Sequence, residues 1–365
     1  MATVAHRESG TRTRPHHASS QAHTPLLLIV CSALAMAVGT VRLPAAWGGA
    51  AAAIHLRVAL SNASSSNVGL YVADGLGDFA GQGIEIEYVD LGGSASEISA
   101  ALATNRIDIA DAGVNPALFN SVRTGSYKVV ADKGSLPKGF GFISFVVHKD
   151  LAGRIKGPAD LRGLSIAMTP PGLGTANGFA LSVYLARAHL KPQDVHIQPI
   201  PFPAQMAALS NKAVPVAIMT EPFATQAVKA GLGVRLITLD EVLPDQQVGT
   251  LAYGTQFIAA HRDWGERFMV AYVQGIRAYN AAFTRGTDKA HIIRILTQKT
   301  PIKDPQLWAD MIPAGLNPTG RVNGESIQQS ENFFHELGLV PQPPALSSFI
   351  DYSFVNYANQ VLGPP

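Results

Sequence analysis

From residue 54 onward the chain repeats one grammar: a short apolar run leads through a loop of small polar residues into a stretch with helical spacing. Repetition of that unit implies βαβ construction, with mostly parallel sheets carrying helices on both faces. The run at 54–60 ends in Ser61, Asn62, Ala63, Ser64, Ser65, Ser66 and Asn67, and residues 68–80 read as a helix stopping at Gly81 or Gly83. Residues 84–89 alternate with period two. Gly92, Gly93 and Ser94 then lead into a helix over 95–104, where Ser94 and Glu97 form a capping-box pattern. The run 107–110 passes through Asp111, Ala112, Gly113 and Val114 to Asn115, an N-cap residue, with Pro116 at the first helical position.

The grammar restarts after the apolar segment 140–147. Strands are expected at 164–168, 195–200 and 214–219, with helices at 176–190 and 203–211. Gly172, Gly174 and Thr175 fall in the loop before the first of these helices. Thr220 reads as the N-cap of a further helix that carries Glu221, Pro222 and Phe223 in its first turn and ends at Gly231. A strand over 250–260 precedes a helical C-terminal third. A chain of 365 residues accommodates two domains of ordinary size. The expected fold class is α/β with two lobes, each a mostly parallel sheet flanked by helices, and a helical C-terminal region packed on lobe 1. Lobe 1 takes residues 54–141 and 254–365, and lobe 2 takes 142–253.

Residues 1–53 read as an address. Arg7, Arg12 and Arg14 precede an uncharged apolar run at 26–39, and a tract of small residues follows at 45–53. This is the three-part layout of a secretory signal peptide. A membrane-spanning helix needs about 20 apolar residues, and Arg42 closes the run before that length. The expectation is export with cleavage. The one cysteine, Cys31, sits inside the apolar run behind Val30 rather than behind a small residue, so no lipid anchor is expected. Without it the remaining chain excludes disulfides, cysteine nucleophiles and iron–sulfur ligation. With 47% hydrophobic and only 15% charged residues, the chain is neither disordered nor a coiled coil. Its near-neutral body offers no basic field for nucleic acid.

Ligands of open α/β sheets bind beyond the carboxyl ends of the strands, where loops run into helix N-termini. The loops placed there are Ser61–Asn67, 92–94, 113–115, 172–175 and 220–223, rich in hydroxyls, amides and glycine. The candidate ligand-binding residues are Asn62, Ser64, Ser65, Ser66, Asn67, Gly93, Ser94, Gly113, Asn115, Gly174, Thr175, Thr220, Glu221 and Phe223. Asp111 and Glu221 are the charged groups among these loops, so little is available for acid–base chemistry. Tyr71, Phe119, Phe202, Phe223 and Tyr253 are candidate apolar walls, although an aromatic is core by default. Gly172 to Gly178 lacks the Lys-Ser or Lys-Thr of a phosphate loop, the histidines are scattered, and no Gly-x-Ser-x-Gly elbow occurs. No catalytic residue and no metal ligand set is assigned.

Gly69 to Ala73 before Phe79 and Gly83, and Asn105 to Ala110 leading to Gly113 and Pro116, resemble the nitrate, sulfonate and taurine substrate-binding proteins of ABC importers. Asp160 to Ala167, the Gly-Thr turn, Glu221-Pro222-Phe223 and the segment 315–323 continue the resemblance, which runs from about residue 54 to the end. It implies a type II periplasmic-binding-protein fold whose two crossovers fall near 140–147 and 249–254. The implied protein is a periplasmic monomer without cofactor or enzymatic activity, delivering a small anionic or zwitterionic solute to an inner-membrane permease. Glu221 is the group that accepts from the amine of a taurine-like ligand, or alternatively a first-turn carboxylate stabilising its own helix. Two other readings stay open: a cofactorless enzyme on the same fold with Asp111 as base, and a receptor for a neutral pyrimidine-like solute stacked on Tyr71 or Phe223.

Overall fold

The computed structural model describes residues 53–60, 65–91 and 95–365. The expected leader and the loop residues Asn62, Ser64, Gly93 and Ser94 lie outside them, and of Ser65 only the backbone is described. The described residues form β1 (Ile54–Leu60), β2 (Ile84–Asp90), β3 (Ile109–Gly113), β4 (Tyr127–Ser135), β5 (Ile143–His148), β6 (Ser165–Met168), β7 (His196–Pro199), β8 (Val216–Thr220), β9 (Gly233–Thr238) and β10 (Gln247–Gly254). They assemble as two five-stranded sheets, ordered β2-β1-β3-β10-β4 and β7-β6-β8-β5-β9.

Within each sheet the strands joined by helices pair in parallel: β1 with β2 and β3, and β6 with β7 and β8. One strand then enters antiparallel to both neighbours, β10 between β3 and β4 and β5 between β8 and β9. Each of these strands arrives directly from the other sheet. It owes its direction to the crossover rather than to the helical return that a parallel neighbour requires. Each sheet is therefore mixed, with four strands running one way and one against them.

Three boundaries differ from the sequence reading. The helix expected over 68–80 is two helices, Val68–Leu76 and Asp78–Gly81, broken at Gly77. The strand expected over 250–260 is β10, and Thr255–Ala260 is helical. All of β10 lies in the first sheet, so the chain returns to it between β9 and β10, ahead of the expected border at 253. The C-terminal region does fold back on the first sheet. Helix Arg262–Arg285 packs on Val68–Leu76 and on Ser353–Leu362, and isolated bridges join Val129 to Ile350 and Ser135 to Gly315.

The two crossovers touch: Leu136 donates its N–H to Gln246 O at 3.0 Å, and Asp245 donates to Leu136 O at 2.8 Å. Beside them Asp132 is fully buried. It accepts from Gly134 N at 2.8 Å, Gln247 Nε2 at 2.6 Å, Asn317 N at 2.6 Å and Ser135 Oγ at 3.2 Å. One carboxylate thus binds the outgoing strand, the returning strand and the C-terminal region. Burial pushes its pKa up to about 6 despite these four donors.

Two predictions follow from the packing and the buried acid. A Cβ on Gly275 would lie 2.6 Å from Ala73 Cβ and 2.7 Å from Gly69 O, where helix Arg262–Arg285 crosses Val68–Leu76. Gly275→Ala should therefore cost about 1–3 kcal/mol by overpacking, read as a lowered denaturation midpoint. Between pH 4 and 6 folded Asp132 still holds the proton that the unfolded chain releases near 3.8. Its contribution to stability accordingly falls as pH rises through that window. The stability difference between wild type and Asp132→Asn should shift against the wild type from pH 4 to pH 6 in denaturant titrations.

Candidate functional site

The loops at the carboxyl ends of the two sheets face each other across a cleft with two adjoining chambers. The larger, about 550 Å³, is lined by Ser66, Asp111, Gly113 and Lys133 from the first half and by Thr169, Thr220, Glu221 and Phe223 from the second, among others. The smaller, about 190 Å³, includes Asn115, Thr175, Ala176 and Asn177. Ser66, Gly113, Thr169, Phe202, Thr220 and Val248 border both. Ser66, Gly113, Asn115, Thr175, Thr220, Glu221 and Phe223 are therefore brought together as the sequence suggested. Asn67 is buried at the head of helix Val68–Leu76 and does not line the cleft. Gly174 packs against Pro171, with Pro116 and Leu339 of the first half just beyond.

Two of the three described loops cap their helices as expected. Asn115 Oδ1 accepts from Leu118 N at 3.0 Å. Thr175 Oγ1 accepts from Gly178 N at 3.1 Å while donating to Gly172 O at 2.7 Å, which closes the loop on itself. Thr220 is not a cap. It ends β8, and its hydroxyl reaches Phe142 O at 3.4 Å. The helix Phe223–Lys229 starts three residues later, behind Pro222, and Glu221 serves its first turn, its Oε2 accepting from Thr225 N at 3.0 Å.

Glu221 is fully buried and its Oε1 is the more heavily used oxygen. It accepts from the Arg235 guanidinium, from Thr225 Oγ1 at 3.0 Å and from Ile312 N at 3.3 Å. Three of its four donors thus fall on Oε1 and one on Oε2. The geometry gives Glu221 the role of a structural cap and ion-pair partner. Asp111 pairs in the same way with Lys133, Nζ to Oδ1 at 2.6 Å, both side chains buried. Sequence reasoning missed the two cations because they lie in strands β4 and β9 rather than in loops. Gly249 was the available signal: opposite β4 in the ladder, it lacks the Cβ that would lie 2.9 Å from Lys133 Cε.

The aromatic candidates divide cleanly. Phe119 and Tyr253 are fully buried in the core. Tyr71 packs on Tyr88 beside a separate hollow on the outer face of β2. Phe202 and Phe223 line the cleft, stacked on each other with centroids 5.9 Å apart. Among the described residues no group of three or more His, Cys, Asp and Glu is placed to hold a metal ion.

This architecture is that of the two-lobed periplasmic binding proteins, and solved structures share it. The periplasmic nitrate-binding protein NrtA of Synechocystis PCC 6803 is 15% identical, covering 86% of this chain and 90% of its own, with a TM-score of 0.68. The alkanesulfonate-binding protein SsuA of Xanthomonas axonopodis pv. citri, bound to MOPS, is 19% identical over 83% of this chain and 100% of its own, with a TM-score of 0.63. A cysteine-to-serine mutant of DSZB in complex with biphenyl-2-sulfinic acid is 15% identical over 84% of this chain and 99% of its own, with a TM-score of 0.65. More particularly, the chain belongs to the NMT1-like family, whose model matches residues 61–293. No curated protein matches it in sequence.

Removing the cation from a buried pair strands its partner. Because Arg235 is a quarter exposed, Arg235→Met should cost about 3 kcal/mol, the lower end for such a break, measured by urea unfolding. Restoring stability with the double change Arg235→Met and Glu221→Gln would mark the pair as structural.

Proposed function

We propose that this protein is the solute receptor of an ABC importer. In this reading it captures a small anionic or zwitterionic organic solute between two hinged lobes and hands it to an inner-membrane permease. The observation that carries the reading is the cleft itself. Polar loops from both sheets converge on one cavity, and the two direct crossovers lie behind it as a hinge. The ligand's anionic group meets Lys133, the hydroxyls of Ser66, Thr169 and Thr220, and the backbone amides opening helix Ala176–Ala186. Export to the periplasm, cleavage near residue 53 and a monomeric state belong to the same reading. The names of the nitrate- and sulfonate-binding structures support the class of solute.

Enzymatic turnover is not part of it. Asp111, the candidate base, is tied to Lys133, and the described residues contain no cysteine. Glu221 serves the closed frame rather than a ligand amine.

Thermal unfolding against taurine, alkanesulfonates, nitrate, aromatic carboxylates and pyrimidines tests the proposal. A ligand at 100 times its dissociation constant should stabilise by about 2.7 kcal/mol, with the compound recovered unchanged. Stabilisation by pyrimidines alone would replace the anionic reading, and conversion of any compound would replace the receptor by an enzyme.

A further inference from the structure

The larger chamber is built for more than a compact anion. Its volume of about 550 Å³ falls in the range of sites that enclose whole organic molecules. One wall of it is apolar and flat. Phe202 and Phe223 stack with rings 17° from parallel, and both remain partly exposed to the cleft, whereas Phe119, Phe145, Phe334 and Tyr253 are fully buried.

Pro170, Pro201 and Pro203 extend that wall. Proline has no N–H, so the wall offers no backbone donors at these three positions. The helix Phe202–Ser210 also starts without a side-chain cap, unlike the helices behind Asn115 and Thr175. At the cleft it presents a ring where those present an amide or a hydroxyl. The rest of the lining is largely polar: the Asp111–Lys133 ion pair, Glu221, and the hydroxyls of Ser66, Thr169 and Thr220. A cavity that is donor-poor in one part and polar in another fits a molecule of the same division.

We infer that the solute is an organic anion carrying an aromatic ring, with the ring seated on Phe202 and Phe223 and the anionic group turned toward Lys133. Aromatic rings favour offset stacking on a free ring face, and proline rings offer further flat contact. The inference rests on the receptor reading above and narrows its ligand.

Isothermal titration of the full chain with methanesulfonate, taurine, octanesulfonate, benzenesulfonate and naphthalene-2-sulfonate tests it. The aromatic sulfonates should bind at least tenfold tighter than the other three, a difference of about 1.4 kcal/mol. Phe202→Leu, which keeps apolar bulk but removes the ring, should erase the preference for aromatic over aliphatic sulfonates. Phe223→Leu provides the second variant, with the unfolding midpoint of each confirming that it folds. Equal affinity for octanesulfonate and naphthalene-2-sulfonate, or a preference that survives both variants, overturns the ring while the receptor stands. Absence of binding by every sulfonate overturns the anionic reading and the ring together.

Discussion

The fold depends on a carboxylate placed where water cannot reach it. Asp132 gathers donors from Gly134 and Ser135 on the way out of the first sheet, from Gln247 on the way back, and from Asn317 in the C-terminal region. Its own carbonyl accepts from Tyr272 Oη at 2.8 Å, which anchors the long helix Arg262–Arg285 to the same point. The ladder between β4 and β10 shifts register here, pairing Asp132 with Thr250 and Gly134 with Gly249 and leaving Lys133 between them. Asp132 serves the crossovers while its neighbour Lys133 lines the cleft. Adjacent residues of one strand thus serve the crossovers and the cleft.

That arrangement explains the electrostatics of the cleft. Each half contributes one acid and one base, and each acid is spent on its own base: Asp111 on Lys133 and Glu221 on Arg235. Buried charges are tolerated when paired and hydrogen-bonded, so neither Asp111 nor Glu221 stands as an isolated charge at the cavity. Glu221 does more. Through Ile312 N it joins the second sheet to the C-terminal region, and the nearby ion pair of Lys229 with Asp310 makes the same junction. Of the two acids that look in sequence like chemistry, Asp111 is tied within the first sheet and Glu221 ties the second sheet to the C-terminal region.

Much of the architecture was legible because it rests on local signals. The βαβ alternation, the Asn115 and Thr175 caps and the fold-back of the C-terminal helices all have short-range signatures. The parts that escaped have none. β4 carries Asp132, Lys133 and Gly134 in sequence, a polar interruption that hides a strand whose charges are satisfied only by residues far along the chain. β9 is short and partly exposed, and its Arg235 finds its carboxylate on Glu221, just beyond the end of β8. Thr220 has the residue type of a cap but sits two residues before Pro222, which heads the helix, and the longer Glu221 side chain reaches the first turn instead. The loops that line the cavity lie at strand carboxyl ends, where local signals mark them, whereas Lys133 is placed there by cross-strand packing that leaves no local signal.

The exchange of strands between the sheets also governs the order in which the chain can be assembled. β3 and β4 are not neighbours; β10 separates them, and the whole second sheet intervenes in sequence before β10 exists. Until it inserts, both strands present unpaired edges of the kind that another chain can extend. A nascent or partly unfolded molecule therefore carries an open slot in its first sheet, shaped for the segment Gln247–Gly254. The same segment of a second molecule would fit that slot as well as its own, so the feature that couples the two halves in the monomer is also the route by which two chains could interlock.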